Sequence, residues 1–113
     1  MDGCIFCAIV AGTIRADVVH RDERAIAIRD LNPQAPTHLL VIPTRHAAHL
    51  SEYIELAGEA ETGSLLALAS GLGVSAPGDG YRVVINEGPD GGQTVHHLHL
   101  HVLAGRGLHW PPG

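Results

Sequence analysis

The chain has 113 residues, 45% of them hydrophobic and 17% charged, which suits a single domain (1–113) large enough to bury a core. Seven Lys+Arg against 12 Asp+Glu leave a formal net charge of −5, with no lysine and an aromatic fraction of 4%. Those numbers exclude the basic stripe of a duplex-binding protein and the stacking platform of a single-strand binder, so no nucleic-acid partner is expected. No apolar stretch approaches a membrane span, and "MDGCIFC" lacks a basic region followed by a long apolar run, so a cytoplasmic protein with no membrane partner is expected.

In chain order, "CIFCAIVAG" has helical spacing and stops at Gly12, which predicts a short first helix. "DVVHRD" and "RAIAIRD" read as two strands joined by a tight turn around Asp22 and Glu23. "LNPQAPT" is a loop, because Pro33 and Pro36 forbid regular pairing. "HLLVIP" is an apolar strand closed by Pro43. "TRHAAHLSEYIELAGEAE" then leads into one substantial helix, "ETGSLLALASGLGV", with Leu65, Leu68, Ala69 and Leu72 forming a buried stripe. Gly63, Gly71 and Gly73 weaken that helix, so packing must hold it. "YRVVIN" is a fourth strand, "EGPDGGQ" a glycine-rich connection and "TVHHLHLHVLAG" a fifth strand. The sum is an α+β domain: a five-stranded, mainly antiparallel sheet with one main and one short helix on one face. The last two strands should pair as a hairpin across a short loop. The aperiodic tail "GRGLHWPPG" carries the only tryptophan, Trp110, which suggests that it docks against something.

Within "QTVHHLHLHVLAGR", His97, His99 and His101 alternate with Leu98, Leu100 and Val102. Alternate strand residues share a face, so the apolar positions look into the core while the three imidazoles line an accessible face over roughly 13 Å. That span is too long for all three rings to touch one phosphate, but neighbouring pairs can. Parallel imidazoles suit zinc, or else one ring is a nucleophile whose neighbours stabilise charge and shuttle a proton. The preceding "NEGPDGGQT", with Gly88, Gly91 and Gly92 beside Asn86, Gln93 and Thr94, favours phosphate, since such a turn offers backbone N–H groups to an anion.

"HLHLHVL" matches the His-φ-His-φ-His-φ-φ signature of the histidine triad superfamily of nucleotide hydrolases and transferases. With "QAPTHLLVIP", "VVINEGPDGGQTVHHLHLHVLAGR" and the terminal "HWPPG", the whole chain resembles the Hint-type histidine triad nucleotide-binding proteins. The resemblance implies a homodimer that joins two sheets into one of ten strands, with the Trp110 tail near the partner's site. It implies hydrolysis of purine nucleoside phosphoramidates and aminoacyl adenylates. His99 would attack the α-phosphorus to give a nucleotidyl-histidine that water hydrolyses. His101 would stabilise phosphoryl oxygens and help to protonate the departing amine, and His38 would assist the relay. Asp30 would bind the ribose hydroxyls beside Leu31. Asn86, Gly92, Gln93 and Thr94 would meet the phosphate or leaving group, and Phe6, Ile9, Ile14 and Ile28 would hold the purine.

The residue chemistry agrees with that assignment. Departure of an amine needs a proton, and imidazole titrates closest to neutrality. A covalent histidine also splits one difficult displacement into two. Two departures stand out: Thr94 where serine is commoner, and Ile28 in place of a common aromatic. Two other readings are a dinucleoside polyphosphate hydrolase, against which "HWPPG" speaks, and a nucleotide-binding interaction module with incidental activity.

Cys4 and Cys7, the only cysteines, form a C-x2-C with no preceding strand, unlike a thioredoxin-type pair. A disulfide there would brace little, and the pair is half of a tetrahedral zinc site. In zinc-bound members of the superfamily two histidines complete it, and the matching positions are His46 and His97. The resemblance thus implies a structural zinc not required for catalysis, with the first triad histidine as a ligand that pins the strand bearing His99 and His101. His20, His49, His96 and His109 are read as solvated side chains.

Overall fold

Strands β2 (Ala25–Arg29) and β3 (Thr37–Pro43) are apolar on both faces, and the two helices cover those faces separately. The computed structural model describes residues 3–113. Side chains of one parity, Ile26, Ile28, Leu40 and Ile42, pack with Phe6 and Ile9 of α1 (Ile5–Ala11). Those of the other parity, Ala25, Ala27, Leu39 and Val41, pack with Tyr53, Leu65 and Ala69 of α2 (Leu50–Ser75). The expectation of helices on one face is therefore corrected: a strand with apolar residues at every position must be covered twice.

With β1 (Val18–Arg21), β4 (Tyr81–Val84) and β5 (Leu100–Ala104), the five strands run in the order β1-β2-β3-β5-β4, every neighbour antiparallel. The turn between β1 and β2 lies where it was expected. Asp22 Oδ1 accepts from the N–H groups of Arg24 (2.7 Å) and Ala25 (3.0 Å), and the hydrogen bond to His20 first, then these two, hold its carboxyl down at about 2. No helix among the described residues is long and apolar enough to cross a membrane.

The fifth strand is shorter than its sequence suggests. Its ladder begins at Leu100, opposite Val41, while β4 ends at Val84 opposite His101. Residues 94–99 therefore lack strand neighbours, and their polar groups bond elsewhere: the Leu98 N–H donates to the Ala47 carbonyl at 2.8 Å. β4 and β5 do pair, but across residues 85–99 rather than a short loop.

The main helix starts at Leu50, well before the expected glutamate, and bends at Gly58, whose φ of 84° and ψ of 171° belong to neither helix nor strand. This one residue hides the first two turns from a search for continuous periodicity. Three bonds brace the bend. Thr62 Oγ1 donates to the Gly58 carbonyl at 2.8 Å, Tyr53 donates its hydroxyl to Glu61 at 2.9 Å, and Arg45 clasps the same carboxylate at 3.0 and 3.2 Å. His49, read as a solvated ring, instead caps the helix by accepting from the Glu52 N–H. Leu65, Leu68, Ala69 and Leu72 form the expected stripe against β3, β4 and β5. Gly73 is required where it stands, because a Cβ there would strike the Tyr81 ring.

The bend predicts its own test. An alanine at 58 must occupy a backbone region open essentially only to glycine, so Gly58→Ala should destabilise the fold by about 1–3 kcal/mol. Urea denaturation measures this; unchanged stability would mean that the helix runs straight.

Candidate functional site

The parity that builds the sheet also selects the site. Asp30 follows Ile26 and Ile28, His38 precedes Leu40 and Ile42, and His99 and His101 alternate with the core residues Leu98, Leu100 and Val102. All four therefore lie on the α1 face. The alternation of faces is kept, but the accessible face expected for the three rings is largely covered. His97 is fully buried, His99 is 8% exposed, and only His101 is half-open. The cause is α1, whose Phe6 ring meets His99 edge-on at 5.0 Å and His97 at 6.0 Å.

His99 donates its Nδ1 hydrogen to the His97 carbonyl at 2.8 Å. A neutral ring so committed carries a lone pair and no hydrogen on Nε2, the state that a nucleophile needs. The His99 and His101 ring centres lie 5.2 Å apart. His101 Nδ1 is 2.9 Å from His38 Nε2, which lies 3.5 Å from Asp30 Oδ2. Asp30 Oδ1 accepts from the Asn32 N–H at 2.8 Å, which fixes the carboxylate at the end of β2.

The remaining predicted contacts divide. Phe6, Ile9 and Ile28 form one buried cluster, whereas Ile14 is 44% exposed and outside it. Leu31 projects into solvent beside Asp30. Asn86 and Gln93 are half-buried, and Gly92 and Thr94 are exposed. The glycine turn satisfies itself instead of offering all its donors. The Gly88 N–H goes to Gln93 Oε1, the Gly92 N–H to the Pro89 carbonyl and the Gln93 N–H to the Gly88 carbonyl, each at 3.1 Å. Gln93 Nε2 ties the turn to the Ala48 and Val95 carbonyls. Gly91 is obligatory because a Cβ would overlap the Glu87 backbone. Trp110 is 83% exposed, and Arg82 holds its tail by donating to the His109 carbonyl at 2.8 Å.

A second cluster adjoins the first. Cys4, Cys7, His46 and His97 bring four ligand atoms within 4.8 Å of one another. His97 donates its Nε2 hydrogen to the Pro43 carbonyl at 2.9 Å, leaving the Nδ1 lone pair toward the thiols at 3.4 and 3.5 Å. His46 Nδ1 lies 3.0 Å from His97 Nδ1 and 3.2 Å from Cys7 Sγ. Tetrahedral zinc with ordinary bond lengths sets its donors roughly 3.3–3.8 Å apart, so this donor set fits after slight expansion. Asp30, His38 and His101 also converge, but suit a metal poorly. A ligating His38 Nε2 would need its hydrogen on Nδ1, which already accepts from the Gln34 N–H. That Gln34 contact, like the Pro43 carbonyl, was invisible to a search of side-chain types.

A five-stranded antiparallel sheet that gathers alternating histidines beside a Cys2His2 cluster is the architecture of a histidine triad domain. The chain belongs to the HIT domain family, whose profile matches residues 11–108. It is 49% identical to an uncharacterized HIT-like protein of Synechococcus elongatus over 113 residues, 96% of each chain. It is 45% identical to a 14 kDa zinc-binding protein of Zea mays, over 96% of this chain and 87% of that one. Among solved structures it resembles a HIT family hydrolase of Legionella pneumophila, with 43% identity, a TM-score of 0.86 and coverage of 98% and 100%. A Zn-bound histidine triad family protein of Mycobacterium smegmatis is also similar, with 32% identity, a TM-score of 0.82 and coverage of 92% and 76%.

The buried histidines make acid sensitivity a property of this site. Burial, then the charges of His99 and His38, push His101 down to about 4, and Asp30 alone opposes them. The unfolded ring titrates near 6.5, so between these values the unfolded chain binds more protons. This contribution is complete above pH 6.5 and is lost as pH falls toward 4. Denaturation midpoints across that window should show the decline, and His101→Gln should flatten it; an unaltered slope would place the sensitivity elsewhere.

Proposed function

We propose that this protein is a nucleotide hydrolase that cleaves the P–N bond of purine nucleoside phosphoramidates, and the P–O bond to the acyl group of aminoacyl adenylates, through a nucleotidyl-His99 intermediate. The single observation that carries the reading is the His99 ring, half-locked by a carbonyl at Nδ1 and without a hydrogen-bond partner at Nε2 among the described residues. The hydrolase description of the Legionella neighbour points the same way. In the first step His99 Nε2 bonds to the α-phosphorus and the leaving group departs: from a phosphoramidate an amine, which gains a proton through His101, and from an aminoacyl adenylate a carboxylate, which needs none. In the second step water attacks the phosphorus, the Nε2–P bond breaks, and a nucleoside monophosphate leaves.

Asp30 stands at the strand end to accept from the ribose hydroxyls, beside exposed Leu31. Phe6, Ile9 and Ile28 supply apolar surface for the purine. Asn86, Gly92, Gln93 and Thr94 flank the phosphate, with Thr94 offering its hydroxyl. The exposed Trp110 and the free edge of β4 support a homodimer that continues the sheet and places the tail by the partner's site.

His99→Ala should retain fold and nucleotide binding while turnover falls by three orders of magnitude or so, since covalent catalysis has no substitute ring. Stopped reactions with a phosphorus-labelled phosphoramidate should trap label on the wild type alone. Near-normal kcat in the variant would remove His99 as nucleophile. Preferential turnover of a diadenosine polyphosphate would favour the second hydrolase reading instead.

We propose zinc for the Cys4, Cys7, His46 and His97 set, on the fit of its donors, the name of the maize relative and the zinc of the mycobacterial neighbour. Four protein donors leave no open position, so the ion would stabilise the fold and supply no reaction chemistry. Purified protein should hold about one zinc per chain. The double variant Cys4→Ser, Cys7→Ser should lose the zinc and melt at a lower temperature, with the folded fraction still active. Loss of all activity from an intact fold would instead mean a catalytic metal.

A further inference from the structure

The Gln34 backbone N–H donates to His38 Nδ1 at 3.0 Å, so that nitrogen carries a lone pair and no hydrogen. The neutral His38 ring must then bear its hydrogen on Nε2, directed at His101 Nδ1 2.9 Å away. His101 Nδ1 accepts, so the His101 hydrogen sits on Nε2, on the side of the ring turned from His38. One peptide N–H dictates the hydrogens of two rings in series. We propose that the Gln34 backbone N–H is a positioning group for the reaction: it locks His38 and His101 into one neutral unit that presents a single N–H to the phosphoryl oxygen.

This inference rests on the hydrolase reading above and specifies how that site controls its proton. The resting pair holds two hydrogens on four nitrogens. A third has one vacant place, His38 Nδ1, and taking it turns the Gln34 N–H off its acceptor. An amine departs only from this three-hydrogen state. As the P–N bond breaks, the His101 Nε2 hydrogen passes to the amine nitrogen, the shared hydrogen moves from His38 Nε2 to His101 Nδ1, and His38 keeps its Nδ1 hydrogen. Both rings are then neutral with bare Nε2 atoms. The attacking water returns a proton to His101 Nε2, the shared hydrogen moves back, and release of the third proton restores the lock.

Arg106, from the tail after β5, donates to the Gln34 carbonyl at 2.8 Å, and its positive charge favours the neutral pair. Asp30, from the end of β2, lies 3.5 Å from His38 Nε2 and favours the charged pair, while burial and His99, from the approach to β5, oppose it. The loop from Leu31 to Pro36 carries no charged side chain. Cys7, the titratable residue of α1, faces His46 and His97 instead. Helix α2 lies on the other face of the sheet. The Gln34 N–H thus acts with burial and the Arg106 charge against a carboxylate, and a phosphate bound at His101 adds to the carboxylate's side.

Nitrogen-15 NMR of the histidine rings in the intact protein tests the lock directly. Near neutral pH, His38 and His101 should both show a protonated Nε2 and a bare Nδ1, and on acidification the Gln34 amide signal should move together with the first protonation of the pair. Gln34→Ala keeps the N–H and should keep these tautomers. Gln34→Pro removes the N–H and with it the opposition to the third proton. The pH above which amine departure fails should then rise by about one pH unit, the size of one hydrogen bond. An Nδ1 hydrogen on either ring of the wild type at neutral pH overturns the proposal, as does a folded Gln34→Pro with wild-type tautomers and pH profile. If Gln34→Pro does not fold, the wild-type ring assignments decide. Wild-type protein with the expected tautomers but no nucleotidyl-histidine phosphorus signal would overturn the hydrolase reading and leave the lock itself standing.

Discussion

The structure depends most on the double engagement of one buried residue, His97. Its ring donates to the Pro43 carbonyl and turns its other nitrogen to the thiols, while its own carbonyl takes the His99 hydrogen. The next residue, Leu98, bonds the Ala47 carbonyl. These contacts replace the strand ladder that residues 94–99 lack, and they do so where ring orientation matters most. A regular strand would spend the His97 carbonyl on a neighbour's N–H. Here that carbonyl is left to orient an imidazole.

Division of labour between the two faces of the sheet follows from the same economy of bonds. The α2 face is almost wholly apolar, with the long bent helix over Ala25, Ala27, Leu39, Val41, Leu100 and Val102. The α1 face is apolar near its helix and becomes polar where Asp30, His38 and His101 gather. A short helix suffices there because Phe6 and Ile9 cover the apolar cluster of β2 and β3 and Phe6 also covers, at its border, the rings of His97 and His99. Keeping the His97 ring out of water penalises charge on it, and burial does the same to His101.

Much of this arrangement was legible because side-chain parity in a strand is rigid. The common face of Asp30, His38, His99 and His101 follows from counting residues, and so does the stripe of Leu65, Leu68, Ala69 and Leu72. Burial of the triad was less legible, since the pattern of "HLHLHVL" shows alternation but not what covers each side. The unbroken apolar runs "AIAI" and "HLLVIP" did signal two covered faces, and placing both helices on one face ignored them. Gly58 concealed the start of α2 because glycine can mark a helix end as readily as a bend. The contacts made by the Gln34 N–H and the Pro43 carbonyl leave no sequence signal, because every residue type has a carbonyl and nearly every one an N–H. His49 is an intermediate case, since histidine is an uncommon helix cap.

The tail has a practical consequence of an optical kind. Trp110 is the only indole in the chain, and it stands 83% exposed near the C-terminus. Its emission therefore reports one location, and in a chain standing alone it should have the red-shifted spectrum of a solvated ring and ready access for a soluble quencher such as iodide. Any surface that comes to cover the tail would blue-shift that light and slow the quenching. The chain carries its own gauge of what lies against its end, with no label to attach.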